Sequence, residues 1–154
     1  MNKAESADLI IKLYELRREA TMREARVWMM GFSPQSAQDV MKAMMDPNSS
    51  AYFRMVISYW DMAASFVNHG AIDEDMFNEV NGEGILVFAK VQPFLAELRE
   101  GMGNPLFLSR LESWIMRMPD AAAMLEQRRA MIKRMFDARQ EFTKAQAAAG
   151  GESE

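Results

Sequence analysis

The sequence predicts an all-α fold, an elongated bundle of about six to seven helices with long first and last members and a kink near Pro93. Three observations carry this. Apolar residues recur at three- and four-residue steps through most of the 154 residues, which is the spacing of a helix face. Helix stops and starts punctuate the pattern. The one run with strand character has no second strand to pair with, and a lone strand is not viable.

The first segment spans about Ser6 to Met30, with Leu9, Leu13, Leu16, Ala20 and Val27 on one face and Gly31 as a stop. Lys12, Glu15, Arg18, Glu19 and Arg26 take the other face, and Glu19 sits four residues before Arg23 as a supporting pair. A second helix opens at Ser33-Pro34, a cap residue followed by a proline in the first turn, and ends near Met45. The third, about Ser49 to His69, is the most apolar. Tyr52, Phe53, Met55, Val56, Tyr59, Trp60, Met62, Ala63, Phe66 and Val67 fill an arc of roughly 200°, so it needs more than one partner and is expected at the centre. Gly70 supplies a left-handed stop, and Asp73 caps the turn that follows.

Ile85-Leu86-Val87-Phe88 reads as helix because no strand is available to it, and Pro93 kinks or restarts that helix after Gln92. Gly101, Gly103 and Asn104-Pro105 close the region before a short helix ending near Met118-Pro119. The last segment runs from about Asp120 to Ala147, where Met124, Met131 and Ala138 repeat every seven residues. Residues 1–147 form one helical domain, and 148–154 are expected to be a flexible polar tail. A compact chain of this size is somewhat under 40 Å across, whereas a helix of about 25 residues is about 38 Å long. The first and last helices should each cross the whole domain.

Composition excludes several chemistries. The chain has no cysteine and a single histidine, which removes thiolate nucleophiles, disulfides and cysteine-ligated zinc. The net charge is −4 and is unevenly spread: residues 1–60 and 101–154 each sum to +1, and residues 61–100 to −6. Arg128, Arg129, Lys133, Arg134 and Arg139 do not share one helix face, and Glu126, Asp137 and Glu141 interrupt them. With a pI near 5.2 they read as a solvated or coiled-coil flank, and no nucleic acid is expected as a partner. The sequence shows neither a secretory leader nor an apolar span of about 20 residues, so no membrane contact and a cytoplasmic location are expected.

Site chemistry is sparse. His69 sits at a helix C-terminus, where its protonated form is favoured. Asp73, Glu74, Asp75 and Glu79 lack the spacing of a calcium loop and read as a solvated helix start. No metal, no cofactor and no catalytic residue is assigned, and a carboxylate-based enzyme ranks last among the readings. Methionine is the unusual feature, with 16 residues. Core packing explains most of them, since Met55, Met62, Met124, Met131 and Met135 fall on apolar faces; a groove for varied partners, or soft-metal binding at Met41 and Met44 or at Met116 and Met118, are the sharper alternatives.

From about Tyr59 to Ile115 the chain resembles a family of uncharacterised bacterial all-helical domains. The residues that carry this are Tyr59-Trp60-Asp61, Asn68-His69-Gly70-Ala71-Ile72-Asp73-Glu74, Val91-Gln92-Pro93-Phe94-Leu95 with Arg99 behind, and an aromatic-bearing helix around Leu111 to Ile115. Many members are predicted to carry an N-terminal membrane helix, which this sequence lacks. The resemblance implies an all-α fold with Pro93 in a kinked hairpin, and it implies no activity.

Two functional readings follow. The first is a non-enzymatic interaction module, a homodimer built on the apolar excess of the third and last helices, with Arg128, Met131, Met135, Arg139 and Phe142 as interface candidates and another protein as a possible partner. The second is a small-molecule or lipid-binding bundle with Trp60, Phe66, Phe88 and Trp114 lining its pocket.

Overall fold

A computed structural model describes residues 2–151 as nine α-helices and one short 3-10 turn, with no strand among the described residues. In chain order the helices are α1 (Lys3–Arg17), α2 (Ala20–Gly31), α3 (Ala37–Met45), α4 (Ser50–Asn68), α5 (Glu74–Val80), α6 (Gly82–Val91), α7 (Leu95–Met102), α8 (Ser109–Met116) and α9 (Ala121–Gly151). The all-α reading holds, and Ile85-Phe88 lies inside α6. Gln92–Phe94 form the 3-10 turn that joins α6 to α7. Proline at its first positions lacks an N–H, so the α-helical ladder cannot run through, which places the kink at Pro93.

Helix α4 is central, as its wide apolar arc requires, and packs against α2, α3 and α8. Phe53, Val56, Trp60, Ala63 and Ala64 on it are fully enclosed, with Trp114, Phe77 and Phe88 completing the core. Phe77 and Trp114 meet edge-on at 5.0 Å between ring centres, the geometry aromatic quadrupoles favour. Gly84 is a close-approach position: a Cβ there would lie 2.7 Å from the Trp60 ring. One edge of the expected α4 arc remains outside, because Met62 and Phe66 are exposed.

Four boundaries differ from the sequence reading. The first segment is two helices, so it does not cross the domain. Arg18 ends α1, and Glu19 starts α2 by accepting the Thr21 and Met22 N–H groups on its carboxylate. These two backbone hydrogen bonds hold the Glu19 carboxyl below its usual range. Glu19 therefore works as a cap, where the sequence suggested a partner for Arg23. The cap of α3 is Ser36, whose Oγ accepts from the Asp39 N–H, so Ser33-Pro34 belongs to the preceding loop. The third concerns Ala148–Gly151, which continue α9 as helix where a tail was expected; residues 152–154 lie outside the described set.

The fourth concerns length. At 31 residues, α9 is about 46 Å long. Its N-terminal part packs on α6 and α8 through Ala121 and Leu125, which are buried, and Ile132, which is half-buried. From Lys133 onward every described residue of α9 is exposed. That stretch is a rod roughly 28 Å long.

Candidate functional site

Charged side chains gather beside apolar surface at the corner between α2, α6 and α9. Glu83 stands in the first turn of α6 and is held by two arginines. Arg26 donates from Nε and Nη2, each at 2.9 Å, and Arg17 from Nη1 at 3.2 Å. Arg26 also reaches the Arg17 carbonyl at 3.3 Å. The Glu83 hydrogen bond raises the Arg26 pKa further. Arg17 is buried, and its guanidinium lies over the rings of Tyr14 and Trp60 at 5.2 and 5.3 Å, so π faces replace part of the water it loses. Tyr59 closes the same region by donating its hydroxyl to the Leu13 carbonyl at 2.6 Å, and burial pushes its pKa up to about 12.

Lys90 sits two turns along α6. Its Nζ donates to the carbonyls of Met29, Met30 and Phe32, acceptors at the C-terminal end of α2, where a cation is favoured. Burial pushes its pKa down to about 8, against the pull of those three carbonyls. Arg129 does the same for α6, donating to the Ala89 carbonyl and the Gln92 side chain at 3.3 Å. Two cations of the α9 corner therefore close helix C-termini, and the third and fourth close on Glu83.

Above this floor lies an apolar hollow of about 380 Å³, walled by Met29, Met30, Leu86 and Val87 on one side and by Ile132, Met135, Phe136 and Ala138 of α9 on the other, with Arg139 at the rim. A second hollow, of about 510 Å³, opens on the opposite flank of α9 between Pro93, Phe94 and Lys133. The helix thus stands proud of the body with a groove on each side.

The structure divides the sequence candidates. Met131, Met135, Arg139 and Phe142 are all carried by α9 and stay at or near the surface, Met135 59% and Phe142 64% exposed, while Arg128 is half-buried. Trp60, Phe88 and Trp114 do not form a pocket wall: each is fully enclosed in the core, because α4, α6 and α8 pack with no gap between them. Phe66 is separate from them, exposed on α4. His69 is exposed, its Nδ1 2.8 Å from the Ser65 carbonyl, as a helix-end residue. Among the described residues no group of three His, Asp or Glu side chains is placed to hold a metal ion. No helix there is long and apolar enough to cross a membrane.

Arg17, Arg26, Glu83 and Lys90 were not singled out from sequence. Lys90 offered a signal, as the one charge inside the apolar run Ile85 to Val91. The pairing of Glu83 with arginines 57 and 66 positions away left none.

The motif residues resolve into architecture. Asp61 accepts the Leu111 N–H at 2.9 Å and pairs with Arg110, and so caps α8. Asn68 donates to the Arg110 carbonyl. Arg117 joins Asn68 to Glu74. Arg99 ties the Phe107 carbonyl to Glu112. Gly70 is left-handed at φ 75°, and Asp73 caps α5 through the Met76 N–H.

A family model described as a domain of unknown function, DUF4760, matches residues 3–118. That is about three quarters of the chain, and the protein belongs to this family. The match stops just before α9. No curated protein and no solved structure matches the chain.

Proposed function

We propose that this DUF4760 member is a non-enzymatic helical interaction module that forms a homodimer through α9. The observation that carries the reading is the exposed half of that helix. A lone helix of about this length is marginal in water, and this one holds Met135 and Phe142 out into solvent. Met131, Met135, Ala138 and Phe142 follow one another at four, three and four residues, the spacing of a two-helix seam. A second copy of α9 would bury that seam and cover the hollow beside it.

Binding is favoured over catalysis by how the polar groups of the corner are used. Glu83 is engaged by two arginines, and Lys90 and Arg129 by helix carbonyls. A cytoplasmic location and no nucleic-acid partner belong to the same proposal, the latter supported by the acidic pI near 5.2. A small amphiphile in the 380 Å³ hollow is the second reading, favoured by its apolar walls and cationic rim. It differs from the pocket expected from sequence in every lining residue.

Light scattering on the purified chain tests the first reading. The expected mass is twice the 17.6 kDa of one chain. Met135→Asp and Phe142→Asp should each return it to one chain without changing helicity, whereas Lys144→Asp should leave the dimer intact. A wild-type monomer at tens of micromolar overturns the reading.

A further inference from the structure

We infer that two copies of α9 pair antiparallel in one register, with Met135 of each copy against Ala138 of the other and Met131 against Phe142. The inference rests on the dimer reading and adds its geometry. At 100° per residue, Met124, Met131, Met135, Ala138, Phe142 and Ala145 form a stripe roughly 100° from the seam of Ala121, Leu125 and Ile132 that faces the body. Met124 and Met131 at its start are half-buried, and packing on the body leaves the rest of the stripe exposed. It lies on the same flank as the hollow, whose α9 wall includes Met135, Ala138 and Arg139, so a helix laid along it also closes the hollow.

Side-chain size and charge select the direction. In the antiparallel register, large residues face small or complementary ones: Met135 over Ala138, Phe142 beside Met131, and the long Arg128 over Ala145. Flanking the seam, Arg134 of each copy falls opposite Glu141 of the other. Both are exposed, and among the described residues neither has an ion-pair partner in its own chain. A slip of one heptad in one direction sets Arg134 against Arg134, and in the other direction Glu141 against Glu141. A parallel, in-register pair sets Arg128 against Arg128 and Arg134 beside Arg139. Like charges so placed are repelled. Of these arrangements only the stated register sets Arg134 against Glu141, and it is self-complementary, as a two-fold interface must be.

Charge exchange reads the direction by sign. Arg134→Glu alone and Glu141→Arg alone should each raise the dimer Kd by roughly tenfold; the double variant should restore it, and the two single variants mixed should form the heterodimer in preference. A parallel pair predicts the reverse for Arg134→Glu, which would then face Arg139 and tighten. Because the chain has no cysteine, a second readout is available. Arg128→Cys by itself should not cross-link on oxidation, since the two copies of position 128 would stand about 25 Å apart, whereas a mixture of Arg128→Cys and Ala145→Cys should. If Met135→Asp dissociates the wild-type dimer but Arg134→Glu strengthens it or leaves it unchanged, the register is wrong and the dimer stands. A monomeric wild type removes both.

Discussion

Helices α1–α8 and the exposed half of α9 draw on the same residue types and meet opposite fates. Met22 and Met29 in α2 are buried, and so is Ala63 in α4; Met135 and Ala138 in α9 are exposed although they too recur at helix-face spacing. The difference is geometry. Helix α2 has α4 alongside it over its length, whereas α9 outruns α6 and α8 after Ile132. The DUF4760 match ends at residue 118, so the family domain leaves out both the packed first part of α9 and its exposed second part. What this teaches is that an apolar stripe states a need for a partner and not where the partner is.

Variants can break or sharpen that contrast. Trp60→Ala should cost the body about 4 kcal/mol, since it opens a large cavity among enclosed neighbours; urea unfolding with a midpoint close to wild type would contradict the packing. Gly84→Ala should cost about 2 kcal/mol, because its Cβ would meet the Trp60 ring at 2.7 Å in a core with little room to yield.

Next in size is a pH effect at Lys90. Its folded pKa of about 8 lies below the ordinary lysine value of 10.5, so between these values the unfolded chain holds a proton that the folded chain has lost. Stability should therefore rise with pH from about 8 to 10, by about 1 kcal/mol once the carbonyl contacts and partial exposure are allowed for. Lys90→Met should flatten this rise in denaturant midpoints taken across the window. Smallest of all is removal of residues 140–154: the body should keep its stability within about 0.5 kcal/mol while the dimer is lost. A large fall in melting temperature, measured well below the dimer Kd, would show that the projecting helix supports its own body.

Local chemistry made much of the fold legible. Gly70 and Asp73 act at the helix ends where their residue types place them, and the absence of any partner strand put Ile85-Phe88 in a helix. The break at Arg18-Glu19 escaped because glutamate is an uncommon cap and the apolar spacing runs on across it. Ser33 before Pro34 carries the cap signature, and the backbone path gives that role to Ser36 instead. The candidate site was half visible. The α9 residues share one helix, so spacing alone collects them. Arg17, Arg26, Glu83 and Lys90 come from three helices, and nothing local to any of them names the others.

Sequence alone determined that the chain is helical, where most helices stop, that Tyr59-Trp60-Asp61 lies in the central one, and that thiol chemistry is excluded. These follow from the period of apolar residues, from backbone preferences of glycine and proline, and from inventory, all of which act over a few residues. The tertiary structure decided that Trp60, Phe88 and Trp114 are enclosed, that Glu83 gathers two distant arginines, and that α9 runs out beyond its supports. Burial and ion pairing depend on which surfaces meet. That is settled when all the helices pack at once.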